Sequence, residues 1–279
     1  MLQSSVVTIG NFDGYHLGHQ ALIRRCRKVA NGKRPIAVVT FEPLPQAWFR
    51  PDAAPPRLMS VRLKLDHLAN EGVDLVWLMR FNQRLAVMGA EDFVQSVLLK
   101  TLAAEEVVVG ENFRYGKDRH GDTDSLRRSG EQLGFALSTV PMFEVDGLRV
   151  SSTSIRDSLA RGDLEQARRM LGRPFRMSGR VIRGRQLGRQ FGYPTANIGL
   201  VTSPSPIMGV FAIRTRWLDH DWHDGVANLG TRPAVGGEGF LLEVHLFDFN
   251  DCLYGQRLEV EFVEKLRDET HFEHIDDLV

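Results

Sequence analysis

Short apolar runs alternate with segments of helical spacing through the first half of the chain, and this alternation constrains the fold more than any other feature. The runs are Val6–Gly10, Pro35–Phe41, Asp74–Phe81, Glu105–Gly110 and Phe135–Val145. Leu17, Ala21, Leu22, Cys26 and Val29 line one side of the first intervening helix. Val61, Leu65 and Leu68 line a second, with Ser60 placed to cap it, and a third follows Gly89. Apolar strands separated by amphipathic helices require a parallel sheet covered on both faces, so this half reads as doubly wound α/β.

After Leu171 the rhythm changes. Phe175–Gly184, Gly209–Leu218, Trp222–Gly230, Phe240–Phe249 and Gln256–Leu266 read as strands, with hairpin turns at Asp219–Asp221 and Gly236-Gly237. Closing such strands into a small antiparallel β-barrel removes their exposed edges. The boundary falls at Gly172-Arg173-Pro174, giving domains of residues 1–172 and 173–279. A chain of 279 residues, 43% hydrophobic and 25% charged, can supply both cores.

Lys plus Arg and Asp plus Glu number 35 each, which argues against a nucleic-acid partner held by phosphate neutralisation. Cys26 and Cys252 are far apart, so neither a disulfide framework nor a cysteine zinc site is expected. With no apolar run of membrane-spanning length and no basic leader ahead of Val6, a cytoplasmic protein without a membrane partner is expected. The sequence does not give an oligomeric state.

Gly10-Asn11-Phe12-Asp13-Gly14-Tyr15-His16-Leu17-Gly18-His19 leaves an apolar strand, turns on glycines and enters a helix. Such a turn offers backbone N–H groups and a positive dipole end to an anion. His16 and His19, three apart on one helical face, can both donate to one phosphate, with Gly18 leaving room for close approach. That suits nucleotidyl transfer, in which charge grows on the α-phosphate oxygens. A metal pair or two ordinary helix-start histidines are the alternatives. Ser151-Ser152-Thr153-Ser154-Ile155-Arg156 opens another helix after the last strand of this half. Ser152 and Thr153 can bind phosphate and Arg156 can add a bidentate contact, or the serines are simply a cap. The HxGH and SSTxxR elements resemble the signatures of the nucleotidyltransferase superfamily.

In the second half, Gly179–Arg189 mixes glycine with arginine, Gly184 among them, and could wrap a polyphosphate. Thr195 and Asn197 lie two apart in an extended segment, so their oxygens share one side, and hard oxygens suit magnesium. No GxxxxGK[ST] motif is present, which excludes a P-loop kinase. Glu243 is either the polar residue of an alternating strand or a general base. Phe113 and Tyr115 could stack on a flavin or adenine, or pack in the core. Trp217 and Trp222 read as packing residues, and the pairs His220/His223 and His271/His274 as surface histidines.

Together these motifs, with Phe41-Glu42-Pro43-Leu44-Pro45, Val109–Gly116, Leu171–Phe175 and Ala227–Pro233, resemble the bacterial bifunctional riboflavin kinase/FMN adenylyltransferases. The resemblance implies that the barrel phosphorylates riboflavin to FMN with Mg-ATP. The N-terminal domain would then transfer AMP from a second ATP to FMN, releasing pyrophosphate and FAD. It implies that His16, His19 and Arg156 serve adenylyl transfer and that Glu243 is the kinase base. Gly10, Asn11, Phe12, Asp13, Gly18, Asn112, Ser152 and Thr153 would line the first site. Gly184, Thr195 and Asn197 would line the second, with Thr195 and Asn197 on Mg2+. Three departures are visible: Asn112 where the family often has Asp, Ala234 where it usually has Thr, and an end at Val279 while a terminal helix pattern is still forming. The last leaves closure over the kinase site an open point of the resemblance. A single-activity FMN adenylyltransferase with a kinase-impaired barrel and a flavin-binding regulatory module are the competing readings.

Overall fold

The computed structural model describes residues 4–184, 193–199, 204–218, 220–234 and 237–269. Asp219, Gly236, Arg185–Arg189, Gly192, His271 and His274 lie outside the described residues. The chain forms two compact units, Met1–Pro55 with Lys64–Val150, and Pro56–Leu63 with Ser151–Val279.

The first unit follows the apolar alternation. Its elements are β1 (Ser5–Ile9), α1 (Leu17–Ala30), β2 (Ile36–Glu42), α2 (Pro45–Phe49), α3 (Val61–Asn70), β3 (Leu75–Arg80) and α4 (Gln83–Ala86). Then come α5 (Ala90–Phe93), continued by a π-helical segment Val94–Thr101, β4 (Ala104–Gly110), α6 (Thr123–Leu133) and β5 (Ala136–Val140). The strands form a parallel sheet in the order β3-β2-β1-β4-β5. β1 is central and buried at every position. The chain crosses from one side of β1 to the other between β3 and β4. The carboxyl ends of β1 and β4 therefore face the crevice where open α/β sheets bind ligands.

Three details depart from the sequence reading. The run Phe135–Val145 is not one strand, because Pro141 has no N–H to extend β5. The chain resumes in a hairpin, β6 (Glu144–Val145) and β7 (Leu148–Arg149), closed by Asp146 and Gly147 at φ 53° and 74°. On α1 the fully buried residues are Leu22, Ile23, Cys26 and Ala30, while Leu17, Ala21 and Val29 are half-buried. Burial raises the Cys26 thiol to about 12, so it is an inert packing group. On α3 the buried residues are Leu63, Lys64 and Leu68 rather than Val61, Leu65 and Leu68. Ser60 does cap this helix, its Oγ accepting from Leu63 N–H at 3.2 Å.

The second unit holds α7 (Ser152–Ala160), α8 (Leu164–Leu171), β8 (Phe175–Ile182), β9 (Ala196–Gly199), β10 (Gly209–Trp217), β11 (His223–Ala234), β12 (Gly237–Leu246) and β13 (Arg257–Arg267). The helices α7 and α8, assigned to the first half from sequence, pack here, α8 against β8 and β13. The strands close as an antiparallel barrel in the order β10-β11-β12-β9-β8-β13. Period-two alternation sends Phe211, Ile213, Leu242, Val244, Leu258, Val260 and Phe262 inward. Outside, Glu259 bridges Arg176 at 3.0 Å and Arg216 at 2.8 Å, and Arg176 also meets Glu261 at 2.7 Å. The Trp222 ring lies 4.6 to 5.7 Å from the guanidinium carbons of Arg216, Arg176 and Arg214, a cation–π wall on the barrel. Trp217 is a core residue with the rings of His220 and His223 stacked on it at 4.8 and 4.9 Å. His220 is exposed, as the surface reading expected, and His223 is half-buried, each ring covering part of Trp217.

Candidate active sites

β1 ends at Ile9, and Gly10 N–H donates to the Val39 carbonyl at 3.0 Å, holding the chain against β2 as it leaves the sheet. The turn beyond Gly10 is tight. Phe12, Gly14 and Tyr15 take φ of 49°, 83° and 40°, and Phe12, Asp13 and Tyr15 are all buried. Two non-glycine residues in the left-handed region are a local strain that only surrounding contacts can hold.

His16 does not lie on the helix as the sequence suggested. It is the N-cap of α1, with ψ 173°, and its Nδ1 accepts from His19 N–H at 3.4 Å. The cap folds the two imidazoles together, with centroids 3.7 Å apart and planes at 22°. An accepting Nδ1 puts the ring proton on Nε2, so His16 presents a hydrogen-bond donor. A Cβ at Gly18 would stand 3.1 Å from the His16 ring, so that glycine makes room for the histidine. Gly10 plays a similar part, with the Phe12 ring 3.2 Å from its Cβ position.

Asn112 is exposed on the turn after β4, at the same carboxyl edge of the sheet as the β1 turn. Phe113 and Tyr115 stack on each other at 5.5 Å, and Tyr115 is buried beside Phe93. They pack in the core. Burial also raises the Tyr115 phenol above its usual range.

In the second unit Ser151 caps α7, its Oγ accepting from Ser154 N–H at 3.1 Å. Ser152 and Thr153 occupy the first turn, half-buried and exposed respectively. Arg156 donates from Nε to the Pro56 carbonyl at 2.5 Å, which fixes its guanidinium against the segment Pro56–Leu63.

On the barrel, strand register assembles the kinase candidates. Asn197 on β9 pairs with Glu243 on β12, and Glu243 pairs with Asn228 on β11. The three form one row on the outer face, while the adjacent row of Ile198, Leu242 and Leu229 is buried inside. Thr195 lies just before β9, two residues ahead of Asn197. Asn228 was not singled out from sequence; the signal was its alternation with the inward Ala227 and Leu229. Asn197 is 5% exposed, and its Oδ1 has no hydrogen-bond partner among the described residues. A buried, unsatisfied amide oxygen calls for a ligand. Glu243 is the cross-strand neighbour of Asn197, and hard oxygen donors such as this amide are of the type that suits magnesium.

Gly184 backs this residue so closely that a Cβ there would sit 2.3 Å from Asn197 Nδ2. Of the glycine/arginine stretch, Gly179–Ile182 is strand, its backbone committed to the ladder, and Arg183 and Gly184 lie beyond its end. Next to Thr195 a cavity of about 240 Å³ opens between Val181, Val244, Leu246 and Leu253. Phe249, on its rim, is braced by edge-on contacts with Trp217 and His223.

Comparison with known proteins finds two family models in the chain. The FAD synthetase family model matches residues 1–154 and the riboflavin kinase model matches residues 171–279. The bifunctional riboflavin kinase/FMN adenylyltransferase of Pseudomonas fluorescens is 46% identical over 275 residues, covering 98% of this chain and 88% of that protein. That of Haemophilus influenzae is 42% identical over 279 residues, covering 100% of this chain and 91% of that protein. The chain is also similar to a solved Streptococcus pneumoniae structure described as a macrolide-efflux protein. That match has a TM-score of 0.85 at 31% identity and covers 99% of this chain and 90% of the other. In this chain no helix among the described residues is long and apolar enough to cross a membrane. Two matched models in one polypeptide, and 42% and 46% identity over nearly the whole chain to proteins of that name, place the chain in the bifunctional riboflavin kinase/FMN adenylyltransferase family.

Proposed function

We infer that this chain makes FAD from riboflavin in two ATP-dependent steps, the first in residues 173–279 and the second in residues 1–172. The observation that carries this reading is the presence of both family models in one chain, each over a segment with its own constellation of phosphate-handling residues.

In the first step the riboflavin 5′-hydroxyl attacks the γ-phosphorus of ATP, and ADP leaves. Glu243 takes the hydroxyl proton as the new P–O bond forms. Thr195 and the unsatisfied Asn197 Oδ1 would hold Mg2+, which would neutralise charge on the nucleotide phosphates. The adjoining cavity receives the nucleotide with its phosphates toward Thr195. In the second step a phosphate oxygen of FMN attacks the α-phosphorus of another ATP, and pyrophosphate leaves. No proton is transferred and no covalent enzyme intermediate forms. His16 and His19 donate hydrogen bonds to phosphate oxygens as charge builds on them, and the family resemblance assigns Ser152, Thr153 and Arg156 to phosphate binding. Gly10, Asn11, Phe12, Asp13 and Gly18 shape the turn, and Asn112 contributes a flavin-side contact. A cytoplasmic setting fits the use of ATP and the two free thiols.

Product analysis with riboflavin, ATP and magnesium tests the whole reading. FMN should appear first, followed by FAD with matching pyrophosphate. FAD formed from supplied FMN but not from riboflavin would leave only the adenylyltransferase.

Gly184→Ala tests the magnesium assignment separately. The new methyl group must displace the whole Asn197 amide and so move Oδ1 off the cation. Half-saturation of riboflavin phosphorylation is expected to need roughly tenfold more Mg2+, a supporting-residue effect, with FMN adenylylation unchanged. Unaltered magnesium dependence would remove Asn197 from the metal site.

A further inference from the structure

Lysine is almost never fully buried in a folded protein unless its ammonium group is matched by acceptors. Lys64 is 2% exposed. It lies on the inward face of α3 between Leu63 and Leu68, where helical periodicity alone would place an apolar residue. Its Nζ donates to the Asn11 carbonyl at 2.7 Å and to Thr40 Oγ1 at 3.4 Å. Thr40 is itself buried and donates from Oγ1 to the same Asn11 carbonyl at 3.1 Å. One backbone oxygen, in the turn that leads to His16, thus accepts from two buried donors on two different elements.

That oxygen controls an orientation. A trans peptide points its C=O and N–H in opposite directions, so anchoring the Asn11 carbonyl on Lys64 turns the Phe12 N–H the other way. Phe12 is also the first residue of the turn with positive φ, at 49°, a conformation costly for a phenylalanine unless the neighbouring peptide is held. One helical turn further along α3, His67 stacks on the ring of Tyr15, with centroids 5.5 Å apart and planes at 13°. Tyr15 is the other non-glycine residue held at positive φ in the turn, at 40°. Residues three apart on a helix share a face. A single face of α3 therefore grips the turn at both of its strained residues, just before the His16 cap.

We propose that Lys64 is a positioning residue for adenylyl transfer. Its buried ammonium fixes the Asn11–Phe12 peptide, and through it the placement of His16 and His19 on the α-phosphate, while lending positive charge beneath a turn that receives a triphosphate. This rests on the assignment of His16 and His19 to that reaction. Lys64 does not touch substrate. Its loss should appear in kcat for FMN adenylylation more than in KM for ATP.

Lys64→Met keeps an unbranched apolar stem, one atom shorter, but removes the donors and the charge. Lys64→Gln keeps an N–H donor without the charge. In the full-length enzyme, Lys64→Met is expected to lower kcat for FAD formation from FMN about 100-fold, the scale of a small misplacement of reacting groups. Riboflavin phosphorylation by the same preparation should stay within about twofold, because that site lies on other strands, and Lys64→Gln should recover part of the loss. Wild-type adenylylation by Lys64→Met, or loss of both activities in both variants, would overturn the proposal. If only Lys64→Met loses both, Lys64→Gln decides by the same criteria. His16→Ala measured in parallel separates the two levels of inference. Adenylylation surviving His16→Ala would sink the site assignment itself, whereas adenylylation lost in His16→Ala but intact in Lys64→Met would sink only the role of Lys64.

Discussion

His16→Ala is expected to abolish FAD formation while riboflavin is still converted to FMN, so that FMN accumulates. The argument starts from the cap. His16 is held before α1 by the bond from His19 N–H to its Nδ1, and its ring lies flat against His19 at 3.7 Å. Both imidazoles are therefore preorganised at a helix N-terminus, where backbone dipoles already favour an anion. Negative charge on the α-phosphate oxygens is greatest in the transition state, so a fixed donor stabilises that state more than bound ATP. Loss of one such donor lowers kcat roughly 100- to 1,000-fold in comparable anion sites. Here the deletion also removes the acceptor that organises His19 N–H, so the effect should fall at the upper end. Stopped assays that separate riboflavin, FMN and FAD would measure it. Equal loss of FMN formation would mean that the substitution unfolds the enzyme rather than disarming one site.

The sequence carried the inner sheet strands because their apolar runs are largely buried on both faces and need no knowledge of their partners. β1, β2 and β4 fall within a residue or two of the runs that announced them. It carried α3 as an element but not its orientation. Apolar periodicity chose Val61, Leu65 and Leu68, whereas the helix is rotated so that Lys64 goes inside, because the Asn11 carbonyl and Thr40 hydroxyl wait there for a donor. A buried lysine is invisible to a pattern that counts apolar residues. The motifs pointed to His16, His19 and Asn197 by chemistry, but hydrogen bonding decides their local form. That His16 caps the helix rather than belonging to it depends on an imidazole bond that no spacing rule contains. Likewise Asn228 could be matched to Glu243 only once the β11–β12 register was known, since nothing in either segment fixes it. Long-range pairings of this kind are the part of a site that a linear reading loses first.

Glu243→Gln is expected to show the opposite phenotype, with riboflavin left unphosphorylated while supplied FMN is still converted to FAD. Glutamine preserves the size of the side chain and its place in the row with Asn197 and Asn228, so barrel packing should be unaffected. What is lost is the ability to accept a proton. An alkyl hydroxyl is a poor nucleophile until its proton is removed, and a positioned base typically contributes 10²- to 10⁴-fold. A fall of roughly 1,000-fold in kcat, with little change in the KM for riboflavin, is the expected outcome. The split between kcat and KM matters, because removal of a group used only in the transition state lowers kcat, whereas loss of a binding contact raises KM. A Glu243→Gln enzyme that phosphorylates riboflavin at the wild-type rate would reduce Glu243 to an ordinary polar residue of an alternating strand. The proton acceptor would then have to be sought outside this row, because the amides of Asn197 and Asn228 cannot take up a proton.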